Sequence, residues 1–350
     1  MRLHEGGAVR QTRGMAGRGL TGHIRATAEF FRERPRLTKW LQFALVAITI
    51  ALCAWGVADQ WHKVGPRLAH AQPFYLALAF AMIALYYLVF ILGWIRMLDA
   101  WGVPTPYRPA LQAEMVSMLA KYLPGGIWTP AARTVALRRR AGVTQTPTVL
   151  TSILVEAALS AVSGVIVFVV SLAWVRGVNA PLLPLVAFGL LLVLLLHPRV
   201  FRPLSDRVLQ AFGAPPIEPL PFPLMLMLLV FYAGTWLLGG FAVYFMLRSL
   251  GSDPGLAAIP FLGGVSAVGA IVAVLAVFLP SGLGAREASM YGLLLALTTS
   301  GPALGVTLLN RLAITVVEVA LFSAGLVTWR RRSAVTGEAP DGAPPVEPVD

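Results

Sequence analysis

The sequence contains only one cysteine, Cys53, and that residue lies within an apolar run. A single cysteine cannot form an intramolecular disulfide or a cysteine-based metal site. Histidine is also scarce: the five histidines are scattered along the chain, and no two of them stand at the spacing of metal ligands. From these residues we expect no bound metal, no cofactor and no catalytic histidine.

Charged residues are few as well, at 13% of the 350 residues, whereas a soluble domain has about 25%. Hydrophobic residues make up 57% of the chain, and the mean hydropathy is +0.74. The apolar runs approach the ~20 residues that cross a bilayer, and they exceed the ~4–8 residues of a buried strand in a soluble α/β enzyme. The sequence therefore predicts an all-α fold, a polytopic bundle of about eight transmembrane helices with additional re-entrant or broken-helix segments.

The positions of the apolar runs define these predicted crossings. They cover residues 40–59, 73–98, 147–175, 181–196, 223–248, 254–279, 285–300 and 303–329. We divide the chain into a basic tail at 1–38, a transmembrane domain at 39–332 and a disordered acidic tail at 333–350.

The net charge of +12 is concentrated on one side of the predicted membrane, which is typical of a membrane protein and not of a nucleic-acid site. With the predicted crossings, 23 of the 28 Lys and Arg residues lie on one side of the bilayer, nine of them within residues 1–39. Because positively charged loops stay in the cytoplasm, we expect a multi-pass protein of the cell membrane with both termini cytoplasmic. We expect no nucleic-acid partner.

A Pro/Gly-rich break separates two segments that otherwise have helical composition. It includes Lys121, Pro124, Gly125, Trp128 and Arg133. Proline and glycine interrupt a helix, so residues 109–123 and 131–141 are predicted to form an interfacial or re-entrant hairpin. The two cations and the unpaired N–H groups at the start of the second helix would attract an anionic group. The alternative is a cytoplasmic linker between two crossings.

A second break repeats the Leu-Pro-x-Gly pattern of the first. It includes Pro280, Gly282, Gly284, Arg286 and Glu287. Transporters built from repeats often place paired broken helices around the substrate, although chance could also produce the match because these residue types are abundant here. Glu287 has a local alternative, since the helix dipole favours a carboxylate in the first turn. The two broken-helix segments could enter the membrane from the same face or from opposite faces, and the pattern is compatible with both.

Three ionisable residues lie inside predicted crossings: Glu156, Arg311 and Glu318. Each such residue costs about 2.5–3.5 kcal/mol at the centre of a membrane helix, so each needs a structural or functional reason. Arg311 and Glu318 are seven residues apart and share a helix face. One interpretation is a buried ion pair, for example between Glu156 and Arg311. The other is a polar cavity that meets a lipid headgroup.

These motifs as a set resemble those of a known family. The set consists of Lys-Tyr-Leu-Pro-Gly-Gly-Ile-Trp at 121–128, Arg133, Glu156, Pro-Ser-Gly-Leu-Gly-Ala-Arg-Glu at 280–287, and Arg311. It resembles the transmembrane flippase-like domain of lysylphosphatidylglycerol synthases, which also occurs as stand-alone membrane proteins. The resemblance covers residues 40–330 and implies a helical domain that moves a lipid between leaflets, in the best-known members an aminoacylated phosphatidylglycerol.

The sequence departs from that family in two respects. Ala157 follows Glu156, where the family often has Arg or Lys. We also expect no aminoacyl-transferase domain after the last predicted crossing, and therefore no lipid synthesis and no enzymatic activity.

The predicted substrate-binding residues are Lys121, Pro124, Gly125, Trp128, Arg133, Glu156, Pro280, Gly282, Gly284, Arg286, Glu287 and Arg311. In this hypothesis Lys121 and Arg133 attract the phosphate of a membrane phospholipid or lipid-linked substrate. Glu156 and Glu287 face a cationic or hydroxylated part of the headgroup, and Arg311 balances their charge. Two alternatives stay open: a non-catalytic accessory subunit of a cell-envelope lipid or glycan pathway, and a membrane-embedded lipid-carrier transferase. A homodimer or a cell-envelope enzyme is the protein partner that we consider.

Overall fold

The computed structural model describes residues 71–122, 128–173, 175, 182–211, 216–276, 282 and 284–336. These residues form ten α-helices and two short 3₁₀ helices, with no β-strand among them. The α-helices are α1 (Pro73–Ala100), α2 (Tyr107–Ser117), α3 (Trp128–Ala141), α4 (Thr146–Ser171), α5 (Leu182–Leu196), α6 (Pro198–Ala211), α7 (Phe222–Ser249), α8 (Ile259–Leu275), α9 (Ala285–Leu294) and α10 (Ser300–Thr336). The 3₁₀ helices cover Met118–Tyr122, directly after α2, and Leu256–Ala258, directly before α8.

Some sequence predictions fall outside this part of the chain. The basic tail at 1–38, the first predicted crossing at 40–59 and residues 337–350 of the acidic tail are not among the described residues. At the boundary predicted at residue 332, α10 continues to Thr336.

Five of the described helices are long and apolar enough to cross a bilayer: α1, α4, α7, α8 together with the 3₁₀ turn before it, and α10 as far as Thr328. Helix α1 has 28 residues, which corresponds to about 42 Å at ~1.5 Å per residue and exceeds the ~30 Å hydrocarbon core. Helices α5 and α6 together form a sixth candidate, bent by 72° between them. The predicted all-α polytopic membrane fold is confirmed.

The starts of four crossings follow directly from the sequence. Helices α1, α4, α7 and α8 each carry a proline in their first turn. The ring presets a helical φ, and the missing N–H belongs to a position that has no partner within the helix. Inside a bilayer each segment must satisfy its own backbone groups, so these apolar stretches continue as uninterrupted helices.

The crossing predicted at 285–300 does not form as a full span. Helix α9 has ten residues, which gives about 15 Å at ~1.5 Å per residue, half of the ~30 Å core. The chain turns after Leu294, and the Thr298 hydroxyl lies 3.0 Å from that of Ser252, in the loop after α7. The apolar residues of α9, including Met290 and Leu293, are buried against other helices. Their hydrophobicity reflects packing within the protein, not exposure to lipid.

The described helices pack around two hydrophobic clusters, and α1 and α7 contribute to both. One cluster joins α1 and α7 to α8, α9 and α10, and includes Phe261, Leu262 and Met290. The other joins them to α2, α3 and α4, and includes Trp94 and Tyr232. Helices α2 and α3, on either side of the first Pro/Gly break, pack against each other, as α8 and α9 do on either side of the second. We call α2 with α3 the first broken-helix unit and α8 with α9 the second. The α1–α7 pair packs against both units.

Candidate functional site

A cavity of about 250 Å³ lies where these two units meet. It is lined by α1, the 3₁₀ turn after α2, α7, α8, α9 and α10. Its polar lining residues are Tyr86, Tyr87, Lys121, Ser266, Arg286 and Asn310. A space inside a membrane bundle that is lined in part by polar side chains is a candidate path or binding site for a polar ligand.

Two of the residues that line the cavity are cationic, and each of them lies beside one of the two Pro/Gly breaks. Lys121 lies in the 3₁₀ turn that precedes the first break, and Arg286 lies in the first turn of α9, after the second break. They are 165 positions apart in the sequence. The fold brings them to one cavity because α2 packs on α10, which in turn packs on α9.

Lys121 is held by an acid that was not in the predicted site. Its ammonium group forms an ion pair with the carboxylate of Glu318, which also accepts a hydrogen bond from the Tyr87 hydroxyl. The Glu318 side chain is 0% exposed and that of Lys121 is 31% exposed. Burial lowers the pKa of the Lys121 ammonium, which lies outside the five candidate spans, and the nearby Glu318 carboxylate opposes that shift.

Arg133 forms a second polar cluster, buried at the junction of α2, α3 and α4. Its Nη1 lies 2.6 Å from Glu156 Oε2, and its Nε lies 3.0 Å from Glu114 Oε2. The guanidinium also stacks on Trp94, with Cζ 3.7 Å from the ring centroid. Tyr232 donates a hydrogen bond of 3.4 Å to Glu156 Oε1. Arg133 is only 3% exposed, and none of these five residues lines the cavity. The cluster therefore holds α2 and α3 against α4.

Arg311 and Glu287 form a third ion pair, next to the cavity. Arg311 Nη1 lies 3.2 Å from Glu287 Oε1, while Glu287 Oε2 accepts a 2.7 Å hydrogen bond from the Gly284 N–H. Glu287 therefore both caps α9 and joins it to α10, so the capping interpretation is correct for this residue. The adjacent Asn310 lines the cavity.

The ion pair suggested between Glu156 and Arg311 is wrong. Both residues are buried in ion pairs, but Glu156 meets Arg133 and Arg311 meets Glu287. Helices α4 and α10 make no extensive contact with each other. The sequence identified the costly charges but not their partners, because partners depend on which helices become neighbours.

The remaining predicted site residues are spread around the two breaks. Gly282 and Gly284 have φ values of 66° and 84°, which glycine adopts without strain. A Cβ on Gly282 would lie 2.4 Å from Cα of Ala273, so the second break packs directly on α8. Trp128 begins α3 and is 38% exposed. Pro124, Gly125 and Pro280 lie outside the described residues.

Sequence reasoning missed several lining residues, although a signal was present for some. Tyr86 and Tyr87 stand near the middle of α1, whereas tyrosines of a membrane helix usually lie near its ends. Glu318 was recognised as an acid within a crossing but was not assigned to the site. Ser266 and Asn310 carry no comparable signal, because single small polar residues are common in helix interfaces.

Within the part of the chain that the structure describes, no group of three or more His, Cys, Asp or Glu residues could hold a metal ion.

Comparison with known proteins identifies one family. The family model described as "Lysylphosphatidylglycerol synthase TM region" matches residues 40–321, which is most of the chain. None of the curated proteins searched matches the sequence. The matched region contains both Pro/Gly breaks, every described residue that lines the cavity and the ion pairs of Lys121, Arg133 and Arg311.

Proposed function

The chain belongs to the family of the lysylphosphatidylglycerol synthase TM region, and on that premise we propose that this integral membrane protein moves a phospholipid between the two leaflets. In this proposal the chain performs no covalent chemistry and lies in the cell membrane with both termini in the cytoplasm. The acyl chains stay in the lipid, while the headgroup passes through the bundle.

The physical obstacle to such movement is the headgroup charge. A charged group in the hydrocarbon region costs several kcal/mol unless polar protein groups replace its water. The observation that carries the proposal is the cavity that Lys121 and Arg286 line together inside a bundle of membrane helices. The polar side chains in its wall supply a partial replacement for the hydration of a phosphate.

The buried ion pairs have a supporting part in this proposal. Arg133 is already neutralised by Glu156 and Glu114, and Arg311 by Glu287. We assign these groups to positioning the broken-helix units, and we assign headgroup contact to the residues that line the cavity. This revises the sequence hypothesis, in which Arg133 and Glu156 touch the substrate directly.

The test is lipid translocation by the full chain in reconstituted vesicles, followed by chemical quenching of a fluorescent phospholipid in the outer leaflet. Vesicles that contain the protein should lose fluorescence from the inner leaflet as well, and protein-free vesicles should not. Absence of any difference between the two, with correctly folded protein, would contradict the proposal. An accessory subunit is then the better interpretation, and co-purification with a cell-envelope enzyme would test it.

A variant that fills the cavity should slow translocation. Gly239 lines the cavity, and a Cβ there would meet Ser266 at an ordinary 3.4 Å, so the larger side chain of Gly239→Leu would occupy the space. We expect the rate to fall by about tenfold or more, because the headgroup loses its polar path. Gly234→Leu is the matched control, since Gly234 lies on the same helix α7 and a Cβ at that residue would have no atom within 4 Å. Equal rates for both variants would show that the cavity is not the path.

A further inference from the structure

The charges around the cavity do not balance. Three cations lie on or beside it, namely Lys121, Arg286 and Arg311. Two acids oppose them: Glu318 pairs with Lys121, and Glu287 pairs with Arg311. Among the described residues, no carboxylate lies within ion-pair distance of Arg286. Residues 277–283, which precede Arg286, include no acid in their sequence.

A second, independent feature is an unused hydroxyl group in the same wall. Ser266 on α8 lines the cavity and is 6% exposed. Its Oγ has no hydrogen-bond partner among the described residues. A buried polar atom without a protein partner is uncommon in folded proteins, so the Ser266 hydroxyl is a candidate contact for a ligand in the cavity.

The other lining groups also offer donors. The only hydrogen bond of the Asn310 amide NH₂ in the described structure goes to Met290 Sδ at 3.9 Å, and sulfur is a weak acceptor. The guanidinium of Arg286 carries donors alone and no acceptor. Counted over the described residues, the cavity therefore has spare hydrogen-bond donors and one spare positive charge, a combination that suits a phosphate oxygen.

Resting on the proposed function, we propose that the cavity binds a phosphate ester with one net negative charge, through Arg286 and the Ser266 hydroxyl. As a lipid headgroup this is an anionic one such as phosphatidylglycerol. A headgroup with additional amino groups is disfavoured, because both acids beside the cavity already hold a cation. At about 250 Å³ the cavity has room for a lipid headgroup.

The experiment is native mass spectrometry of the purified full chain in mixed micelles. The micelles contain equal amounts of phosphatidylglycerol, phosphatidylcholine and phosphatidylglycerol esterified with lysine, all with identical acyl chains. We expect preferential retention of phosphatidylglycerol. Equal retention of the three lipids, or stronger retention of the lysylated one, would overturn the proposal.

Substitutions of Arg286 and Ser266 test whether these two residues cause the preference for phosphatidylglycerol. Arg286→Gln should weaken phosphatidylglycerol retention by about tenfold, as expected for a lost charge-assisted hydrogen bond, and Ser266→Ala by about threefold. Arg286→Lys should recover most of the preference, which separates loss of charge from misfolding. Arg96→Gln, at an exposed arginine on α1, is the control and should have no effect. An Arg286→Gln protein that keeps the full preference would overturn the assignment.

Two further arms separate this proposal from others. If excess glycerophosphoglycerol, a soluble phosphodiester with one negative charge, displaces the lipid, a soluble phosphate ester also fits the site. If it does not, the lipid headgroup is the ligand, and the anion site stands in both cases.

Binding that depends on Arg286 without translocation would support the site and count against the transport function. Translocation that is equal for all three lipids and unaffected by Arg286→Gln would support transport and overturn this inference.

Discussion

Replacing Arg133 by methionine is expected to lower the free energy of unfolding by about 3–5 kcal/mol. The substitution removes the cation between two carboxylates, those of Glu156 and Glu114, inside the bundle. The two carboxylates would then lack their cation, and only the Tyr232 hydroxyl would still donate a hydrogen bond to Glu156. The flat guanidinium also stacks on Trp94, so its removal costs packing as well.

A double-mutant cycle measures how much of this cost comes from the orphaned carboxylate. Arg133→Met and Glu156→Leu should each be destabilising. The double variant should recover part of the loss, because an apolar pair of similar volume can replace a buried ion pair, while Glu114 still lacks its cation. Stability can be followed by denaturant titration in detergent. Arg139→Met, at an exposed position of the same helix α3, is the control and should change stability little. A loss below ~1 kcal/mol for Arg133→Met would mean that Arg133 is solvated and not buried as described.

Gly240→Ala is expected to destabilise the protein by about 1–3 kcal/mol, although alanine is normally the better helix former. Helices α7 and α8 cross in close contact at this residue. A Cβ on Gly240 would lie 2.4 Å from the carbonyl oxygen of Ile259 and 2.7 Å from the backbone nitrogen of Gly263. Because both atoms belong to the backbone of the second helix, the two helices must move apart. The contacts shared by α7 and α8 around the cavity would loosen with them.

The same helix provides the control for this prediction. Gly234 lies on α7, is exposed and has no atom within 4 Å of a Cβ position. Gly234→Ala should therefore be neutral, or stabilising by up to ~1 kcal/mol through helix propensity. If both alanine variants behave alike in denaturant titrations, the close approach of α7 and α8 is not needed for stability.

Two pairs of charged residues were accessible from the sequence for physical reasons. Lys121 and Arg286 could be identified because they flank the two Pro/Gly breaks, where a helix is forced to end and another begins. Glu156 and Arg311 could be identified because a charge within an apolar run is costly. What could not be predicted is that Arg286 faces the cavity while Arg133 is enclosed by two acids. Both are cations beside a break, and sequence alone does not distinguish them.

The sequence by itself determined that this protein is a helical membrane bundle, because a bilayer permits few alternatives to long apolar segments that satisfy their own backbone hydrogen bonds. It also determined where several helices begin, through the prolines in their first turns. Only the tertiary structure decided which helices are neighbours, and hence that Glu156 pairs with Arg133, that Glu318 holds Lys121, and that α9 is a short buried helix. Pairing and packing depend on the rotation and proximity of whole helices, and those are set by contacts between residues far apart in the chain.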